Sequence, residues 1–98
     1  MDNQLIYTDT FLKDLENICE YIAEDNAGEA AKFAKSVFEV TRNLSEFPLS
    51  GTLPKNKFRQ LKDYRMLIHG NYIIYYQPDA CVKKVYLHRV VHGARYNF

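Results

Sequence analysis

Glycine is too scarce in this chain for nucleotide chemistry: there are four in 98 residues, and none forms the phosphate-cradling loop that such chemistry needs. No apolar run approaches the ~20 residues of a membrane helix. The opening Met1-Asp2-Asn3-Gln4 lacks the basic and apolar regions of a secretory signal. The expectation is a cytoplasmic protein without membrane association. Of the two cysteines, Cys19 lies among apolar helix positions and Cys81 in a polar connection. Neither has a CxxC spacing or a nearby His/Cys set, so reduced thiols are expected, with no metal and no cofactor. The basic half of the chain has no paired carboxylates at a suggestive spacing and no Ser/His/Asp order.

What is present fits one ordinary domain over residues 1–98. An apolar fraction of 47% and a charged fraction of 26% exclude disorder as the default state. The net charge of +1 conceals a division. Residues 1–50 carry four Lys/Arg against ten Asp/Glu, a balance of −6, and residues 51–98 carry nine against two, a balance of +7. Either the second half meets an anionic partner, nucleic acid or an acidic protein segment, or the two layers of one domain attract each other.

Gln4 to Thr8 has the β-branched and aromatic content of a short strand, and Thr8 or Asp9 can cap a following helix. Phe11, Leu15, Ile18 and Ile22 then recur at helical spacing, which predicts about four turns ended by Asp25-Asn26-Ala27-Gly28. From Glu29 to about Phe47 the period resumes, with Ala30, Phe33, Val37 and Leu44 on one side, until Pro48 stops it. The short break predicts an antiparallel helical hairpin. Phe38 and Val40 widen the second stripe, which suits either burial on two sides or a groove for a partner helix. Phe47 to Pro54 is predicted to be a loop, and Lys55, Lys57, Arg59 and Lys62 to be a basic approach to the sheet.

Gly70-Asn71 between two apolar runs is a hairpin signal, because Gly suits the positive φ of a two-residue turn. It sets Leu67 against Ile74, Arg65 against Tyr76, Ile68 against Ile73 and Met66 against Tyr75. A turn at Pro78 to Cys81 would place Gln77 opposite Val82, Ile74 opposite Val85 and Tyr72 opposite Leu87. Ile73, Tyr75, Lys84, Tyr86, His88, Val90 and His92 would then share the outer face, unless a bulge exchanges them. The predicted fold is α+β in the order β-α-α-β-β-β, the N-terminal strand and helical hairpin packing on a mostly antiparallel sheet.

The last strand releases two histidines, two arginines and a tyrosine over His88, Arg89, His92, Arg95 and Tyr96. Together with Phe47-Pro48 to Gly51, Tyr64-Arg65 and Gly70-Asn-Tyr-Ile-Ile-Tyr-Tyr76, the ending Arg89-Val-Val-His-Gly-Ala-Arg95 resembles the RelE/ParE superfamily of type II toxins. The resemblance spans nearly the whole chain. It implies a toxin made with an antitoxin whose arm wraps and suppresses it as a hetero-oligomer. Phe38, Tyr75 and Tyr86 are the residues expected to meet that arm.

Two activities occur in the superfamily. RelE-like members are ribosome-dependent mRNA endonucleases, and ParE-like members act on DNA gyrase. RelE-like enzymes typically carry an arginine in the strand corresponding to Tyr72–Tyr76, where a guanidinium can stabilise charge building on the scissile phosphate. That position falls on Ile73 here. The aromatic and aliphatic run and the His92-Gly-Ala-Arg95 ending are similar to ParE-like members, which implies gyrase inhibition with Arg59, Arg65, Arg89, His92 and Arg95 as target-binding residues and no catalytic residue. The alternative is mRNA cleavage on the ribosome, with His88 or His92 as acid or base, Arg95 on the phosphate and Tyr96 as proton donor. A third possibility is a nucleic-acid-binding module that stacks bases on Tyr72, Tyr75, Tyr76 and Tyr86.

Overall fold

A computed structural model describes residues 2–93. The order is strand β1 (Gln4–Tyr7), helix α1 (Asp9–Ala23), helix α2 (Ala27–Arg42) with a 3-10 turn at Asn43–Ser45, helix α3 (Lys57–Leu61), then strands β2 (Arg65–His69), β3 (Tyr72–Asp79) and β4 (Lys84–His92). This is the expected α+β arrangement. The sheet runs β1-β4-β3-β2, with β1 parallel to β4 and the other pairs antiparallel.

Local chemistry accounts for the helix starts. The Thr8 hydroxyl accepts the Phe11 N–H at 3.2 Å and donates to the Leu87 carbonyl at 2.8 Å, so one side chain caps α1 and fastens the end of β1 to β4. Asn26 caps α2 by accepting the Glu29 N–H at 3.0 Å. Helix α2 is shorter than its apolar period implies. It ends at Arg42, and the chain continues as the 3-10 turn that buries Leu44. Phe38 packs edge-on against Tyr7 of β1, so the wide stripe of α2 is used inside the fold. Thr41, fully buried, donates its hydroxyl to the Val37 carbonyl and accepts the Tyr7 hydroxyl at 2.7 Å, leaving no polar atom of the pair unmet.

The β2–β3 register is the one predicted from Gly70-Asn71. Gly70 has φ +61° and Asn71 is not left-handed, the signature of a type II′ turn. The β3–β4 register is not the one predicted. Strand β3 continues through Pro78 to Asp79, which opposes Lys84, so that Gln77 meets Tyr86, Tyr76 meets Leu87, Ile74 meets Val90 and Tyr72 meets His92. Pro78 is tolerated this far into the strand, and the turn falls at Ala80–Lys83, with Lys83 at φ +53°. A bulge between Tyr75/Tyr76 and their partners leaves His88 without an opposite residue. The extra residue moves Val90 from the expected outer face into the core beside Val85 and Leu87.

The core between helices and sheet holds Phe11, Leu15, Val37, Leu44, Ile74, Tyr76, Val85, Leu87 and Val90. The segment after Pro48 is not pure loop. Thr52 bridges Met66 through two backbone bonds of 2.9 and 2.8 Å, and α3 follows with Asn56 as its cap. Gly51 sits so close to Tyr76 that its N–H donates to the phenol oxygen at 2.8 Å. Both cysteines are free thiols. Among the described residues no helix is long and apolar enough to cross a membrane.

Candidate functional site

Two groups of chemically useful side chains emerge, one on each face of the sheet. Along β4, Tyr86 and His88 alternate with Val85 and Leu87 and so project away from the helices. Tyr64, which precedes β2, lies 5.2 Å from the His88 ring, Tyr86 stacks on it at 6.2 Å, and the Arg59 guanidinium lies 5.9 Å from the Tyr64 ring. The resulting column runs from α3 across to β4.

The tautomer of His88 follows from its partner. The Gln77 amide N–H donates to the Lys62 carbonyl at 2.7 Å, which turns the amide oxygen towards His88 Nε2 at 3.2 Å. An oxygen acceptor requires Nε2 to carry the proton, leaving the Nδ1 lone pair as the basic atom of a neutral ring. Burial pushes the His88 pKa below the ordinary imidazole value.

The second group lies where the helical hairpin meets the far end of the sheet. His69, Tyr72 and His92 oppose one another across β2, β3 and β4. Tyr72 packs on Phe33 of α2 at 4.8 Å and on the edge of His92 at 5.3 Å. His69 Nε2 is 2.8 Å from the Ser36 hydroxyl, which itself donates to the Phe33 carbonyl, so His69 serves as the donor and the pair ties β2 to α2. Beside this row a groove of about 470 Å³ opens between α1 and the end of β4, lined by Asp14, Asn17, Ile18, Tyr21, Tyr72, Val91 and His92.

The residues singled out in the sequence are therefore divided. Arg59, His88 and Tyr86 come together on the outer face, with Tyr64 and Gln77 as unforeseen members. Arg65 lies apart from them and donates from Nη1 to the Gly51 carbonyl at 3.2 Å, holding the loop before α3. Arg89 forms a two-point contact with Asp14 on α1, Nε to Oδ2 at 2.7 Å and Nη2 to Oδ1 at 3.2 Å. His92 belongs to the opposite group. Tyr75 is 2% exposed and Phe38 packs on the core, whereas Tyr86 stays half-buried. Arg95 and Tyr96 lie outside the described residues. Tyr64 opens the predicted strand run Tyr64 to His69, where nothing separates it from an ordinary strand residue, and Asp14 looks like any charged residue of an amphipathic helix. The row formed by His69 was legible as far as Tyr72 from the hairpin register. Among the described residues no three His, Cys, Asp or Glu side chains gather as a metal site would require.

Comparison with known proteins gives the same outline. The chain superposes on the chromosomal ParDE TA system from P. aeruginosa with a TM-score of 0.73 at 16% identity, covering 92% of this chain and 95% of that one. It also superposes on the toxin-antitoxin complex RelBE2 from Mycobacterium tuberculosis with a TM-score of 0.62 at 22% identity, covering 94% of this chain and 99% of that one. At these identities the likeness concerns the fold. No curated protein sequence matches the chain. The profile of the ParE toxin of the type II toxin-antitoxin system, parDE, matches residues 5–96, nearly the full length, and the chain belongs to that family.

Proposed function

We propose that this toxin inhibits DNA gyrase through protein contacts, in the cytoplasm, and that a cognate antitoxin binds and silences it. The observation that carries the choice of target is Ile73. At the mid-sheet position where the ribonucleases of the wider superfamily would offer an arginine, this chain has an aliphatic side chain fitted beneath Gly93, whose added Cβ would lie 3.2 Å from Ile73 Cδ1. A butyl group supplies no charge to a pentavalent phosphate. Arg89 is occupied by Asp14, and His88 is neutral and bound to Gln77. These features favour a surface that binds over one that cleaves. Arg59, Arg65, His92 and Arg95 remain the residues assigned to the target, and the antitoxin partner is inferred from the family and from the assemblies in which its structural neighbours occur.

The test is gyrase-driven supercoiling of relaxed plasmid with the purified protein. Loss of supercoiled product, or accumulation of cleaved DNA, is the expected result. Full supercoiling in the presence of folded protein, together with cleavage of mRNA on programmed ribosomes, would replace this reading with the ribonuclease one.

A further inference from the structure

Residues 51–98 contain only two acidic side chains, Asp63 and Asp79, against nine Lys/Arg, and both line the same cleft. The cleft, of about 350 Å³, lies where the turn after α3 meets the turn between β3 and β4, and Gln77, Pro78 and Tyr86 are among its walls. Gln77 holds the two turns together. Its amide N–H donates to the Lys62 carbonyl at 2.7 Å, and its oxygen accepts from His88 at 3.2 Å. Neither carboxylate is spent on an ion pair within the fold. Among the described residues Asp63 and Asp79 have no salt bridge, although Lys84 stands opposite Asp79 across the β3–β4 ladder. Asp79 accepts the Cys81 N–H at 3.1 Å through Oδ1, and the Asp63 carboxylate accepts no hydrogen bond from a described residue. Asp63 follows α3 at φ +63°, a conformation that glycine adopts with less strain, so the turn alone does not call for a carboxylate.

The chemistry of the walls restricts the occupant. A hard divalent cation would find two carboxylates and no help from the Gln77 oxygen, which is committed to His88, and among the described residues no third acidic or imidazole ligand is near. An organic cation would meet the carboxylates but be repelled by the positive balance of the half of the chain that surrounds them. A neutral planar ring that carries N–H donors on one edge and an anionic group on its tail suits all the features at once. The ring packs on Tyr86, the donors meet a carboxylate, and the anion meets Lys83 and Lys84, which lead from the turn into β4. Among the nucleobases guanine alone presents two adjacent donors, N1–H and N2–H, spaced to match the two oxygens of one carboxylate.

We infer that this cleft binds the guanine base of a nucleotide, with Asp63 accepting N1–H and N2–H, Tyr86 stacking on the ring and Lys83 and Lys84 meeting the phosphate. Asp79, with Oδ2 still open, accepts the second N2–H. The recognition chemistry is the same for a free guanine nucleotide and for a guanosine within a nucleic-acid strand. The inference does not depend on whether gyrase is the target.

The test is calorimetric titration of the full chain with GMP, with AMP, and with IMP, which keeps N1–H but lacks the 2-amino group. GMP is expected to bind at least about tenfold more tightly than AMP, with IMP between them. Asp63→Asn, which tolerates the left-handed backbone but offers only one acceptor oxygen, should remove the preference for GMP without changing the melting temperature. Tyr86→Leu should weaken GMP and AMP alike, and Glu16→Gln on α1 should leave both unchanged. A labelled single strand of about six nucleotides, all dT apart from one dG, then identifies the source. Tighter binding of this strand than of GMP assigns the base to nucleic acid, and no gain over GMP assigns it to the free nucleotide. Absence of binding by both GMP and the dG strand, equal affinity for GMP and AMP, or an unchanged preference in Asp63→Asn would overturn the inference. So would displacement of GMP by an equal concentration of inorganic phosphate, or tighter binding of arginine amide than of GMP.

Discussion

Asp14 and Arg89 lie 75 residues apart in sequence and meet in a two-point ion pair, Nε to Oδ2 at 2.7 Å and Nη2 to Oδ1 at 3.2 Å. The same Oδ2 accepts the backbone N–H of Val90 at 3.2 Å. Strand β1 pairs with β4 only as far as Leu87, so the edge of β4 beyond it has lost its ladder partner. The Asp14 carboxylate supplies the acceptor that a longer β1 would have provided. With side-chain exposures of 15% for Asp14 and 34% for Arg89, the pair is largely withdrawn from water.

Replacing Asp14 with Ala should therefore cost about 2 kcal/mol, because it removes the Asp14 carboxylate from a partly desolvated guanidinium and from an edge N–H at once. Urea denaturation of the two proteins measures this. A loss below about 0.5 kcal/mol would place the pair with ordinary surface ion pairs.

Gly51→Ala should be more disruptive than its size suggests. The added Cβ would lie 2.5 Å from the Tyr76 hydroxyl and 2.7 Å from the Met66 carbonyl, and the second of these is backbone that cannot swing aside. A destabilisation of about 2–3 kcal/mol is expected. Tyr76→Phe, which strips the Gly51 N–H of its acceptor without adding bulk, should cost about 1–2 kcal/mol. Thermal melts that rank the two in the opposite order would contradict the tight approach of this loop.

Stability should decline on acidification through His88. Burial lowers its pKa in the folded protein below the ordinary value of 6.5, so as pH falls past 6.5 the unfolded chain takes up the proton first. The stabilisation is complete above that pH and is lost progressively down to the lowered folded value. His88→Gln, which retains a donor for Gln77 but does not titrate, should flatten this part of the profile. Parallel slopes for the two proteins between pH 7 and 5 would show that other groups set the dependence.

Arg95→Ala should relieve growth inhibition by the expressed toxin while leaving the melting temperature unchanged, as expected of a target-binding residue. Undiminished toxicity would remove Arg95 from the proposed surface. By contrast, Arg89→Ala should lower stability along with any effect on the target, because Arg89 also holds Asp14.

The sequence by itself determined those features whose information is local. Apolar residues at helical spacing specified α1, and Thr8 or Asp9 marked its start, whereas the cap at Asn26 emerged only in the structure. Gly70-Asn71 fixed the β2–β3 register because a two-residue turn leaves no freedom in pairing. The turn at Ala80–Lys83 lacks such a constraint. With several loop lengths allowed, pairing was settled by which side chains could be buried, and the bulge at His88 brought Val90 inward. Helix α3 gave no periodic signal in five residues, and its cap at Asn56 was hidden within a charged stretch. Only the tertiary structure decided that Asp14 would serve the open edge of β4, that Arg89 would be occupied, and that His88 would be buried with its Nε2–H on the Gln77 amide oxygen. Each depends on groups from separate elements meeting within about 3 Å, a distance that residue order and spacing along the chain do not encode.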